Sequence, residues 1–169
     1  FSPGAALLGL LLLACAMPAF LAGVVQDFTD TLTPRGRLVA TAVSAVLAYY
    51  VVDAAILRTD IPGLDWLVGF GLGSLALTVL AVAGIAHAVN IIDGLNGLAS
   101  MCIVIMLAAL AYVANEVGDP LIVALALAGI GAVFGFFVWN YPAGLIFLGD
   151  GGAYFLGFAA MQLPLGSAL

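Results

Sequence analysis

The chain has 169 residues, 66% of them hydrophobic and 7% charged, with a mean hydropathy of +1.31. That composition excludes a soluble globular domain and marks an integral membrane protein. Three arginines, no lysine and nine carboxylates leave a formal net charge of -6, which assembles no basic patch and excludes a nucleic-acid partner.

One bilayer crossing takes about 20 apolar residues as a helix. On that measure the chain predicts six spans, near Gly4 to Val25, Leu38 to Val52, Trp66 to Ala86, Leu98 to Ala114, Leu121 to Val138 and Gly151 to Leu169. The segments are apolar all round and rich in Ala, Leu and Gly, without the apolar-polar alternation of barrel strands. The expected fold is therefore all-α, a polytopic transmembrane helix bundle, treated as one membrane domain over 1–169. Cys15 and Cys102 lie inside apolar runs without paired spacing and read as small hydrophobes. The start at Phe1, without an initiating Met or a basic n-region ahead of "LLLAC", reads as an internal portion of a longer protein.

The connections are Gln26 to Arg37, Asp53 to Asp65, His87 to Gly97, Asn115 to Pro120 and Trp139 to Asp150. By parity the first, third and fifth share one membrane face. Arg35 and Arg37 in the first connection, against Arg58 in the second, favour a cytoplasmic placement for that face. The second connection, "RTDIPGLDW", and the fourth, "NEVGDP", read as plain turns.

The odd connections read "QDFTDTLTPRGRL", "HAVNIIDGLNGLA" and "WNYPAGLIFLGDGGAYFLGF", and bring Asp27, Asp30, Asp93 and Asp150 to one surface. Carboxylates with one His and no Cys among them suit Mg²⁺ or Mn²⁺ rather than zinc. Magnesium shares its shell between one or two carboxylates and phosphate oxygens, so a phosphate or diphosphate substrate is implied. Asn90, Asp93 and Asn96 recur at i, i+3 and i+6, on one face if helical; the D-G and N-G pairs alternatively predict a turn. Asp150, between Gly149 and Gly151 at a helix start, would let a metal and its phosphate rest against main-chain N–H groups. Trp139, Asn140, Tyr141 and Phe147 supply aromatic faces and an amide for a nucleobase, or else an interfacial belt. His87 reads as a helix-end residue or a functional one.

These stretches carry a resemblance. "HAVNIIDGLNGLA" resembles the N-x-x-D-G-x-x-G-L motif, and "FLGDGGAYFLGF" the F-x-G-D-x-G-S-x-x-x-G motif, of the polyprenyl-phosphate N-acetylhexosamine-1-phosphate transferases. This superfamily includes the phospho-MurNAc-pentapeptide translocase and the initiating GlcNAc-1-phosphate transferases of cell-wall and lipopolysaccharide synthesis. "QDFTDTLTPRGRL" is similar to its D-D-x-x-D segment. The resemblance implies an Mg²⁺-dependent glycosyl-1-phosphate transferase of the bacterial inner membrane, multi-pass, with a cytoplasmic active site. Its partners would be a UDP-N-acetylhexosamine and undecaprenyl phosphate, with UMP released; homodimerisation is a further expectation. It also implies roles: Asp27 as the base that deprotonates the lipid phosphate, Asp30 as the third acid, Asp93 as metal-proximal or nucleophilic, and Asp150 as the magnesium ligand. Asn90 and Asn140 would line the nucleotide site and Phe147 would stack on uracil; Asn96 is counted with these substrate-binding residues, and Arg35 and Arg37, as the only cations on that face, are available for phosphate contact.

The sequence departs from the pattern at three places: Gln26 stands for the first acid of the pair, Asn96 for an acid carried by the pentapeptide branch, and Ala153 for the usual Ser. The family's amino-terminal spans and its later histidine-rich cytoplasmic loop are not in the sequence. "PRGRL" favours the GlcNAc branch. The alternatives are an inactive or degenerate fragment of that family, for which Gln26 argues, and a transporter segment, against which the acids at span ends argue, since transporters place ionisable groups near the midplane.

Overall fold

The computed structural model describes residues 3–165. Among them are seven helices and no strand: α1 (Pro3–Thr29), α2 (Pro34–Val51), α3 (Leu64–Val68), α4 (Gly71–Ile92), α5 (Leu98–Val117), α6 (Pro120–Asn140) and α7 (Gly149–Gln162). Four of them, α1 from Ala6 and α4, α5 and α6 entire, are long and apolar enough to cross a membrane. The expected helical bundle is present, and the protein is a multi-pass membrane protein.

Local chemistry sets the helix starts. Thr33 caps α2 by accepting the Gly36 N–H at 3.1 Å, with Pro34 supplying the fixed φ of a first turn. Asp119 caps α6 in the same manner, accepting the Leu121 and Ile122 N–H groups ahead of Pro120. Gly118, at φ +77°, ends α5 in the left-handed conformation that only glycine adopts at little cost. The "NEVGDP" turn is therefore as expected.

Several boundaries differ from the expected ones; α2 already begins at Pro34 rather than Leu38. The third span does not begin at Trp66: α3 stops at Val68, and Gly69 and Phe70 redirect the chain into α4. Gly73 permits this fold-back, because a Cβ there would strike the Leu67 carbonyl. At its other end α4 runs through His87 and Asn90 to Ile92, since Ala86 and Val89 continue its buried stripe, so these polar residues are helical and only Asp93 to Gly97 form the turn. Likewise α1 continues past Gln26 to Thr29, and Asp27 is a helix residue. The sixth expected span is shorter than expected: α7 ends at Gln162 and 163–165 form a turn, while 166–169 lie outside the described residues.

The second connection is more than a surface turn. Its extended backbone lies against α4, with Ala54 buried. The Ile56 N–H donates to Thr78 Oγ1 at 3.0 Å and its carbonyl accepts from Ser74 Oγ at 2.8 Å, which satisfies backbone groups that burial would otherwise orphan. Asp65 closes the loop by accepting from Thr59 and Asp60, and the Thr59 N–H holds its carboxyl below the ordinary range.

Small residues make the crossings. A Cβ on Gly23 of α1 would fall on the Gly151 backbone of α7, and one on Gly157 of α7 would sit 2.5 Å from Ala86 Cα of α4. The start of α7 is thereby pressed between the ends of α1 and α4, where close helix approach depends on small side chains. The α1–α2 pair is tied by the Ala19 N–H donating to Ser44 Oγ at 2.9 Å.

Candidate active site at the start of helix α7

The ends of α1, α4 and α6 and the starts of α2, α5 and α7 meet at one end of the bundle. Parity predicted this convergence, and Asp27, Asp93 and Asp150 meet there at the first turn of α7. An α-helix start presents N–H groups with no partner in the helix. Two carboxylates from elsewhere in the chain accept from them here.

Asp93, the C-cap of α4, accepts the Leu148 N–H at 2.8 Å and the Gly149 N–H at 3.3 Å through Oδ2. Asp27, in the last turn of α1, accepts the Asp150 N–H at 2.8 Å through Oδ1 and the Gly151 N–H at 3.0 Å through Oδ2. Four consecutive amides, 148 to 151, are thus divided between two acids. This corrects the expectation that those amides are open to a substrate phosphate. Gly149 is at φ +68°, and a Cβ there would lie 2.6 Å from Asp27 Oδ2. The motif's glycine is therefore required by both backbone and neighbour.

Asp93 is 6% exposed. Burial pushes its carboxyl above the ordinary range; the N–H groups of Leu148 and Gly149 pull it back, and the Asp27 charge raises it again. Its Oδ1 takes no hydrogen bond among the described residues.

Asp150 stands on the first turn of α7 with both oxygens engaged. Oδ1 accepts Asn90 Nδ2 at 2.6 Å, and Oδ2 forms an ion pair with Arg37 at 2.5 Å and accepts the Tyr154 hydroxyl at 3.3 Å. Arg37 Nε is buried without a partner among the described residues. Beside this cluster lies an open groove of about 270 Å³, lined by Arg37, Leu38, His87, Asn90, Ile91 and Tyr154 among others.

The other expected site residues divide. Asn96 is exposed and donates through Nδ2 to the Pro142 carbonyl at 2.9 Å. Asn140, 1% exposed, accepts the Gly97 N–H and donates to the Ile146 carbonyl at 2.8 Å. With both ends of its amide on the backbone, Asn140 fastens the α4–α5 turn to the α6–α7 connection rather than facing a ligand. Phe147, 53% exposed, presents an open ring on that same connection.

Asp30 and Arg35 are not brought into the cluster. Asp30 is exposed at φ +50° beyond the end of α1, and its Oδ1 accepts Gln26 Nε2 at 2.6 Å. Arg35 is exposed and forms no hydrogen bond or ion pair with the described residues. Gln26 ties the end of α1 to the chain that follows it. While its Nε2 donates to Asp30, its Oε1 accepts the Leu32 N–H at 2.8 Å. An aspartate has no donor to offer Asp30. Tyr154 was not singled out in the sequence, although its spacing of four from Asp150 on a helix places it on the same face.

A hard divalent cation fits this donor set in kind. Asp93 Oδ1 is open and the Asp150 oxygens keep spare lone pairs, which suits an ion bound by one or two carboxylates that completes its shell with water and phosphate oxygens. It is not a closed cage, because among the described residues no group of three His, Cys, Asp or Glu could hold a metal ion together.

Comparison with known proteins gives an independent view. Residues 9–167 match the model of glycosyl transferase family 4. A probable undecaprenyl-phosphate N-acetylglucosaminyl 1-phosphate transferase of Bacillus subtilis (strain 168) is 44% identical over 98 residues, covering 57% of this chain and 27% of that protein. A phospho-N-acetylmuramoyl-pentapeptide-transferase of Geobacillus sp. (strain WCH70) is 32% identical over 154 residues, 86% of this chain and 48% of the relative. Its counterpart from Lactococcus lactis subsp. cremoris (strain MG1363) is 31% identical over 136 residues, 79% and 41%. The chain therefore spans about half or less of the length of these relatives.

Proposed function

The chain belongs to glycosyl transferase family 4, and from that premise we propose that it transfers an N-acetylhexosamine 1-phosphate, GlcNAc-1-phosphate in the first instance, from a UDP-sugar to undecaprenyl phosphate with release of UMP. The observation that carries this reading is the meeting of Asp27, Asp93 and Asp150, from three helices, at one helix start beside Arg37 and Asn90. An anionic donor and an anionic acceptor have to be brought together, so catalysis rests mainly on charge and orientation.

In the proposed step an acceptor phosphate oxygen bonds to the sugar-bearing phosphorus of the UDP-sugar. The bond from that phosphorus to the bridging oxygen breaks, and its electron pair leaves on UMP. Asp150 and Asp93 would hold Mg²⁺, which when bound offsets the charge of the diphosphate. Arg37 lines the groove and donates to phosphate oxygen while its pairing with Asp150 fixes its direction. Asn90 orients Asp150 from the opposite oxygen. Asp27 holds the start of α7 in place by accepting one N–H group on each oxygen, and the lone pairs that remain leave it the role of base toward the lipid phosphate. Phe147 and Asn96, both exposed near the turn, form the rim for uracil. Arg35 adds positive potential for two anionic substrates. Two arginines on this side against Arg58 on the other support a cytoplasmic site on the bacterial inner membrane.

The Bacillus relative supports the GlcNAc branch at higher identity, and the pentapeptide relatives match more of the chain. One assay separates them. The intact protein in detergent receives undecaprenyl phosphate, Mg²⁺ and either UDP-GlcNAc or UDP-MurNAc-pentapeptide, and UMP is measured. UMP from UDP-GlcNAc supports the proposal, UMP from the pentapeptide donor alone moves the protein to the other branch, and UMP from neither overturns the transferase reading.

A further inference from the structure

Beneath the acids lies a second polar layer. Arg37 and Thr41 are one turn apart on α2, Asn90 and His87 on α4, and Asp150 and Tyr154 on α7. In each helix the second residue of the pair lies one turn further from the site end. The upper three form the ion pair and hydrogen bond described for Asp150.

The lower three meet as well. The Thr41 hydroxyl donates to the Leu38 carbonyl at 2.9 Å, which leaves its oxygen to accept from His87 Nε2 at 3.4 Å. The His87 ring lies 4.9 Å from the Tyr154 ring at a tilt of 57°. Tyr154 is fully buried, and its hydroxyl donates upward to Asp150 Oδ2 at 3.3 Å. A rigid two-angle ring, held on its face and hydrogen-bonded at its tip, fixes the carboxylate it touches.

We propose that Tyr154, braced by His87 and Thr41, is the positioning residue that sets the Asp150 carboxylate for a divalent cation. The proposal rests on the assignment of Asp150 as a metal ligand, and it adds a layer that directs that ligand from below. Hydrogen-bonding partners behind a metal ligand fix its orientation, and their loss weakens metal binding or activity by about 10- to 100-fold.

The test compares Tyr154→Phe, which keeps the ring and deletes the hydroxyl, with Ser44→Ala, which removes the buried acceptor of the Ala19 N–H away from the site. Mn²⁺ binding to the intact protein without substrates, followed by electron paramagnetic resonance, is expected to weaken about tenfold or more in Tyr154→Phe and to stay within about twofold of the parent in Ser44→Ala. A second measurement needs no metal: in EDTA, the melting-temperature changes of Tyr154→Phe and Asp150→Asn should be non-additive in the double variant. Additive changes, or Mn²⁺ affinity in Tyr154→Phe equal to the parent's, overturn the proposal. If the parent itself binds no Mn²⁺ while the changes are non-additive, the metal assignment fails and the positioning of Asp150 by Tyr154 stands.

Discussion

Asp93 is a carboxylate kept where a neutral group would be more comfortable. Its acidity is weakened in the folded protein chiefly by burial, so its own contribution to stability is fully present at pH values below its unfolded pKa. That contribution is lost as pH rises through the raised folded value. Asp93→Asn keeps an oxygen that can accept the Leu148 and Gly149 N–H groups and removes the charge. The variant is expected to melt higher than the parent at neutral pH, with a flatter melting-temperature profile between acid and neutral pH, and to lose turnover by two orders of magnitude or more in the UMP assay. Gly149→Ala has the opposite effect on stability. The left-handed backbone costs a side chain roughly 1–2 kcal/mol, and the new Cβ would crowd Asp27 Oδ2. Calorimetry should show a lower melting temperature together with lost activity. Asp150→Asn is expected to abolish metal-dependent turnover while the protein remains folded, checked by UMP release beside a melting curve.

Two helix crossings turn on single missing methyl groups. Gly157→Ala would press a Cβ against Ala86 Cα, an overpacking that typically costs about 1–3 kcal/mol. A Cβ at Gly135 on α6 would meet nothing within 4 Å, and alanine is the better helix former by roughly 1 kcal/mol. Thermal unfolding in one detergent should therefore rank Gly135→Ala at or above the parent and Gly157→Ala well below it. The sequence revealed much at this scale: long apolar runs predicted a helical bundle, four of whose six expected spans, α1, α4, α5 and α6, are long and apolar enough to cross a membrane, and the turn at Gly118 was legible from "NEVGDP". It did not reveal the break at Gly69 and Phe70, because apolar residues run on both sides and the deciding contact, Leu67 carbonyl against Gly73, is tertiary. Nor did polarity locate the end of α4: His87 and Asn90 remain helical because Ala86 and Val89 stay buried.

At the scale of the whole molecule, counting spans placed Asp27, Asp30, Asp93 and Asp150 at one surface, and the structure joins all but Asp30 at the start of α7. The division of four amides between two of them was not legible, since it depends on how α1 and α4 end against α7. The same count predicts sidedness. With Cys15 and Cys102 replaced by Ala, Arg35→Cys and Glu116→Cys should react with a membrane-impermeant thiol reagent from opposite faces of the membrane. Labelling of both from one face would overturn the common end assigned to the odd connections. The shared capping of α7 also bears on biosynthesis. Asp27 and Asp93 are made 123 and 55 positions before the nearest amides they cap. As the ribosome extends the chain, the two acids wait at the water's edge with those partners still unmade, and the cluster closes only after residue 151 has joined them. Every shorter nascent chain lacks the amides that Asp27 and Asp93 cap, so the cluster forms after most of the described helices have been synthesised.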